Sequence, residues 1–156
     1  MFKKVCIIGC GLIGSSLARV IKKNNLAEKI VSSNRSDAVN RKVIELKIVH
    51  NSSSDTKEMV KDSDLIIIAT PLSSYENVIS KIKDFLKSGA ILTDVGSVKE
   101  NILSLVEKNI PDNVSWIPSH PIAGTEESGP EAGFAELFQN RWCILTPSKK
   151  AKQKNI

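Results

Sequence analysis

The stretch Val5-Cys6-Ile7-Ile8-Gly9-Cys10-Gly11-Leu12-Ile13-Gly14 decides the fold. An unbroken apolar run this short suits a strand buried on both faces, and glycines at the spacing G-x-G-x-x-G follow it directly. Beyond them Ile13, Leu17, Val20 and Ile21 recur at helical period, so the motif joins a strand to a helix. Each glycine then has a steric reason. Gly9 permits the tight turn, Gly11 lets the backbone approach a pyrophosphate, and Gly14 lets the helix pack close to the strand. The helix's amide end, with Leu12 and Ile13, faces the same anion. The alternative is an incidental strand-to-helix turn that happens to hold three glycines.

The same alternation continues outward. Strands are expected at Val5–Ile8, Ile30–Ser32, Leu65–Ala69, Ile91–Thr93, Val114–Ile117 and Cys143–Leu145. A second helical stripe comprises Tyr75, Val78, Ile79, Ile82, Phe85 and Leu86, and a third Ile102, Leu105 and Val106. Helix starts are expected at reciprocal capping boxes: Asp55 with Glu58, Ser73 with Glu76, Ser97 with Glu100. Strand and helix in turn predict an α/β fold: a doubly wound, mostly parallel, Rossmann-type sheet with helices on both faces. From Pro118 to Asn140 the prolines and glycines are too dense for a long element. A functional loop is expected there, after a strand.

A chain of 156 residues with 41% hydrophobic content fits one ordinary domain. Lys149, Lys150, Lys152 and Lys154 account for most of the +5 net charge, and without them it is +1. The basic stretch 148–156 therefore reads as a frayed tail behind a domain at 1–147, and neither nucleic acid nor membrane is expected as a partner. Cys6, Cys10 and Cys143 lack metal-ligand spacing, so no metal site is expected and a reduced, cytoplasmic protein is. Lys3, Lys4 and the apolar run after them superficially resemble a secretory signal, but the three spaced glycines do not fit one.

Cofactor choice is read at Asn34, twenty positions after Gly14, where an NAD site commonly carries an acid. With no carboxylate to repel a 2′-phosphate, and with Arg35 and Ser36 beside it as donors, NADP fits better and NAD is the alternative. Arg35 also reads as an ordinary solvated side chain. His50 lies in a polar stretch and is expected to be exposed. His120, held between Pro118 and Pro121 after a strand, suits proton transfer during alcohol oxidation, or equally a hydrogen-bonded structural role.

The glycine turn, Ala69-Thr70-Pro71, Thr93-Asp94-Val95-Gly96-Ser97-Val98-Lys99, Ser119-His120-Pro121-Ile122-Ala123-Gly124-Thr125-Glu126 and Cys143-Ile144-Leu145-Thr146-Pro147 together resemble prephenate and arogenate (cyclohexadienyl) dehydrogenases. These are nicotinamide-dependent enzymes of tyrosine biosynthesis. The resemblance implies oxidative decarboxylation of prephenate or arogenate to 4-hydroxyphenylpyruvate or tyrosine: a histidine at His120 engages the ring hydroxyl, hydride passes to the nicotinamide, and carbon dioxide leaves. It implies that Ser97 lies near nicotinamide and substrate, that Thr70 and Pro71 border the cofactor, and that Thr125 and Glu126 border the substrate. Ser97 also has the capping role as an explanation. Family members often carry an acid at Asn34. They also continue into a helical domain that forms a homodimer and supplies cationic groups, which this sequence, ending at Ile156, does not contain. The expectation is dinucleotide binding with poor turnover unless another polypeptide completes the site. The rival readings are a β-hydroxyacid-dehydrogenase-type enzyme using NADP and a non-catalytic nucleotide-binding module.

Overall fold

A computed structural model describes residues 1–155, with backbone alone at Asn101 and Lys154. Its strands are β1 (Phe2–Ile8), β2 (Ala27–Ser33), β3 (Asn51–Ser53), β4 (Leu65–Ile68), β5 (Ile91–Asp94), β6 (Ser115–Trp116), β7 (Ser119–Pro121) and β8 (Cys143–Leu145). Its helices are α1 (Leu12–Lys23), α2 (Asp37–Glu45), α3 (Thr56–Val60), α4 (Tyr75–Ile82) and α5 (Glu100–Asn109). Six strands form one sheet in the order β3-β2-β1-β4-β5-β6, every neighbouring pair parallel.

Alternation along β1 explains the unbroken apolar run. Val5 and Ile7 join Ile30 and Ile67 beneath Ala18 and Ile21 of α1 and Val43 of α2. Cys6 and Ile8 join Ile66, Ile68 and Leu92 beneath Met59 of α3, Ile79 and Ile82 of α4, and Val106 of α5. A strand covered on both faces has no polar side to show. Each such buried Val or Ile contributes about 1.5–3 kcal/mol relative to exposure.

Register aligns the strand ends. Ile8 pairs with Ser33 on one side and with Ile68 on the other, and Ile68 pairs with Asp94. The turns that follow therefore leave the sheet side by side: Gly9, Asn34, Ala69 and Val95 stand along one carboxyl edge. The strand order reverses direction beside β1, where open α/β sheets leave a crevice.

Several local expectations need correction. Helix α1 buries Leu12, Gly14, Ser15, Ser16, Ala18 and Ile21, while Ile13, Leu17 and Val20 of the expected stripe are only half-buried. Small residues face inward because something packs closely there. Arg19 Nη1 donates to Pro130 O (3.1 Å), Phe134 N donates to Ser16 Oγ (3.1 Å), and a Cβ on Gly133 would stand 2.1 Å from Ser15 Oγ. The segment 130–134 thus lies across the helix.

Of the three expected capping boxes, Asp55 alone caps, its Oδ1 accepting from Lys57 N and Glu58 N. Asp55's own amide goes to Ser53 Oγ instead of Glu58. Ser73 lies inside a 3-10 turn, Leu72–Ser74, and α5 begins after Lys99 rather than at Ser97, with no side-chain cap. Helix α4 ends at Ile82; Phe85, expected to continue its stripe, is exposed beneath Lys57 Nζ, 5.5 Å from the ring centroid.

Cys143–Leu145 is a strand but does not belong to the main sheet. It pairs antiparallel with β7 in a separate ribbon, and all three residues are exposed. An apolar run signals an extended chain; it does not say which sheet receives it. The long loop begins with β7 and includes a 3-10 turn at Ala135–Phe138. The basic tail makes contacts with the body: Lys150 Nζ reaches Ile110 O (2.8 Å) and Asp112 Oδ1 (2.9 Å), and Asn155 Nδ2 reaches Ser115 Oγ (2.8 Å).

Candidate active site

The glycine turn is built by contact. Gly9 has a φ of 94°, and a Cβ there would stand 2.8 Å from Ala69 O and 2.9 Å from Thr70 Cγ2. A Cβ on Gly14 would lie 2.0 Å from Gly9 O, so α1 is pressed onto the turn. At Gly11 a Cβ would meet nothing within 4 Å, which leaves open the face where a pyrophosphate would approach. The bond from Ser15 N to Gly11 O (3.0 Å) opens α1, so the amides of Leu12, Ile13 and Gly14 precede the helical ladder and are free for an anion. Thr70 Oγ1 is buried beside this turn with no hydrogen-bond partner among the described residues. An orphaned hydroxyl next to a bare amide cradle fits a bound dinucleotide.

Asn34 does not face outward. It is 7% exposed; its Oδ1 accepts from Cys10 N (2.6 Å), and its Nδ2 donates to Asn40 Oδ1 (3.0 Å), Ser52 Oγ (3.2 Å) and Ser32 Oγ (3.4 Å). Asn40 Nδ2 returns a bond to Asn34 O (3.0 Å). This side chain is a strut holding the glycine turn to β2, α2 and β3. Arg35 and Ser36 are exposed at the same corner, and Ser36 precedes α2 without a side-chain capping bond. Burial pushes the Cys10 thiol up to about 11 and the Cys6 thiol to about 12, so both behave as packing residues rather than nucleophiles.

The carboxyl end of β5 is organised by Asp94, which is fully buried. Its carboxylate accepts from Lys99 Nζ (2.7 and 2.6 Å), Tyr75 OH (3.0 Å), Gly96 N (3.0 Å) and Ser119 N (3.1 Å). Ser119 Oγ donates to Asp94 O (2.5 Å). Ser97 follows Gly96 and is exposed; His120 follows Ser119 and is half-buried, its backbone opposite Ile144. Pro71 is exposed beyond Thr70. Thr125 and Glu126 are exposed on the long loop, where Thr125 Oγ1 accepts from Glu127 N (3.2 Å). His50 is exposed, and its Nδ1 accepts from Ile30 N (3.0 Å) as an edge cap.

Sequence reasoning thus named the turns that converge on the carboxyl edge but missed the group that joins two of them. A lone acid closing an apolar strand, with Gly96 and Lys99 just beyond, was the available signal. A groove of about 480 Å³ lies between α2 and β3, lined by Asp37, Asn40, Arg41 and Ser52 among others. It contains none of Gly9–Gly14, Thr70, Ser97 or His120.

An all-parallel sheet with this order, carrying a bare amide turn after β1, defines a dinucleotide-binding domain of the Rossmann type. Residues 17–156 match the family described as prephenate dehydrogenase, nucleotide-binding domain, and the chain belongs to that family. It is 38% identical over 147 residues to cyclohexadienyl dehydrogenase of Zymomonas mobilis, covering 94% of this chain and 50% of the relative. It is 30% identical over 156 residues to prephenate dehydrogenase of Bacillus subtilis, covering 97% of this chain and 41% of the relative. Among solved structures, prephenate dehydrogenase from Aquifex aeolicus in complex with hydroxyphenyl propionate and NAD+ superposes with a TM-score of 0.90 at 26% identity, over 99% of this chain and 54% of that one. Synechocystis arogenate dehydrogenase gives 0.84 at 27%, over 97% and 52%. The chain spans about half the length of the relatives it matches. Among the described residues no helix is long and apolar enough to cross a membrane.

Proposed function

We propose that this chain binds NADP in preference to NAD and carries the histidine and serine for oxidative decarboxylation of prephenate or arogenate to 4-hydroxyphenylpyruvate or tyrosine. The observation that carries the reading is the row of turns along one carboxyl edge, Gly9–Gly14, Thr70–Pro71 and Gly96–Ser97, with Ser119–His120 of β7 tied to it through Asp94. The amides of Leu12 to Gly14 hold the pyrophosphate, and the Thr70 hydroxyl gains its missing partner from the cofactor. Arg35 and Ser36, exposed just past a strand end that carries Asn34 in place of an acid, receive the 2′-phosphate. The nicotinamide supplies the two-electron acceptor. His120 takes the proton of the ring hydroxyl as that carbon is oxidised, and Ser97 orients the hydroxyl. Thr125 and Glu126 border the substrate on the loop. The protein works in the cytoplasm on a small molecule, as a homodimer formed through the family's helical domain.

Calorimetric titration with NADP and NAD tests the first part. Formation of reduced cofactor from prephenate and from arogenate, with and without an added helical domain from a relative, tests the second. His120→Asn is expected to lower turnover about 100-fold or more while leaving cofactor affinity within about twofold. An unchanged rate removes His120 from the mechanism.

A further inference from the structure

We propose that Asp94, ion-paired to Lys99, is a positioning residue that sets Ser97 and His120 in one frame; the inference rests on the reading of those two as the reacting pair. Five donor contacts from four directions reach one carboxylate. Lys99 comes from the start of α5, Tyr75 from α4, Gly96 from the turn that carries Ser97, and Ser119 from the strand that carries His120. The turn is threaded tightly against it: a Cβ on Gly96 would stand 3.0 Å from Asp94 Oδ2 and 3.2 Å from Tyr75 OH.

The placement is costly in a way that stability alone does not explain. Asp94 is wholly buried and the Lys99 side chain is 14% exposed. Burying an ion pair carries a desolvation penalty that a well-packed apolar pair of similar volume would avoid. An apolar pair would tie β5 to α5 equally well. It would offer no shared acceptor to the amides of Gly96 and Ser119, and it is these two bonds that fix the residues next to Ser97 and His120. Strand β7 lies outside the main sheet. Besides the Asp94 carboxylate, the hydrogen bonds that tie Ser119 to β5 among the described residues are Ser119 Oγ to Asp94 O and Thr93 Oγ1 to Ser119 Oγ (3.3 Å). The carboxylate thus joins the two halves of the reacting pair, and Lys99, bonded to both of its oxygens, holds it in that orientation.

The test uses the whole chain saturated with NADPH and reads the circular dichroism of the bound dihydronicotinamide, which appears only when its ring is held in one orientation. Asp94→Asn and Lys99→Met are expected to bind NADPH within about threefold of wild type, because the glycine turn is untouched, yet to lose about fivefold or more of that band. Lys99→Arg, which keeps the charge, restores at least about half of it. A structural role alone would lower the melting temperature and leave the band per folded molecule intact, and that result overturns the proposal. If Asp94→Asn fails to fold, Tyr75→Phe, which removes one hydrogen bond, decides by the same band: diminished supports, unchanged overturns. Wild-type chain that binds no cofactor overturns the underlying reading of the site, and this inference with it.

Discussion

Asn34→Asp separates a strut from a cofactor reader. If the position read the ribose, an acid there would raise affinity for NAD and leave the fold alone. The structure demands another outcome. The Asn34 amide nitrogen donates to Asn40 Oδ1 at 3.0 Å, and Asn40 is not free to turn over, because its own Nδ2 serves Asn34 O at 3.0 Å. A carboxylate oxygen in that place meets an acceptor, at a site 7% exposed. The serines soften the clash by rotating their hydroxyls: Ser32 and Ser52 already share a bond of 2.8 Å whose donor is exchangeable. One lost donor and one poorly solvated charge together cost about 2–4 kcal/mol, or a fall in melting temperature of about 5–15 °C. The pH dependence has a definite sign. A protonated carboxyl can donate to Asn40, so the native state holds the proton more tightly than the unfolded chain, and the variant's deficit is smallest near pH 4 and grows as pH rises through the native titration. Urea melts from about pH 4 to 8, run with NAD and NADP titrations, provide the measurement. A variant with wild-type stability throughout and a gain in NAD affinity would refute the strut.

Two further outcomes follow from contacts elsewhere. Gly133→Ala would place a Cβ 2.1 Å from Ser15 Oγ and 3.0 Å from Ser16 N, and should cost about 1–3 kcal/mol with loss of hydrogen-exchange protection at Phe134 N; full protection would mean the loop does not bear on α1. Asp64 accepts from Lys87 Nζ (2.5 Å), Lys3 N (2.7 Å) and Lys4 N (3.1 Å), and the bond to Lys87, ahead of the backbone amides, holds its carboxyl below the usual range. Its stabilisation is complete above the unfolded value and lost as pH falls through the folded one, so Asp64→Asn should cost about 1 kcal/mol at pH 7 and flatten the decline below about pH 4, as read by thermal melts.

How much of this was legible depends on what held each element. The strands at β1 and β4 announced themselves because burial on both faces leaves no polar interruption from Val5 to Ile8 or from Leu65 to Ile68. Helix α2 and strand β3 did not: α2 buries only Asn40 and Val43, and β3 is an edge strand tied to its neighbour by the Ser32–Ser52 hydroxyl pair as well as its ladder. Polar cohesion of that kind leaves no hydrophobic period to count. In α1 the expected apolar stripe is buried at Ile21 but only half-buried at Ile13, Leu17 and Val20, and the small residues of another face are buried because Gly133 and its neighbours press on them. At the site, the glycine spacing carried its own steric explanation and was readable. The role of Asn34 was not, since a residue at a strand end looks the same whether its amide points to solvent or into a network. Ser73 and Ser97 had the composition of helix caps, yet the chain first tightens into a 3-10 turn at one and runs on to Lys99 at the other.

The ribbon of β7 and β8 also provides an optical instrument. Its flank carries Trp142, 84% exposed, whose carbonyl accepts from Ile122 N two residues beyond His120 (2.8 Å), while Trp116 is sealed at 0% in the interior. The indoles therefore divide the emission of the molecule: a soluble quencher silences the outer one and reports on whatever settles over the histidine strand, and the inner one stays dark to the quencher until the sheet itself comes apart.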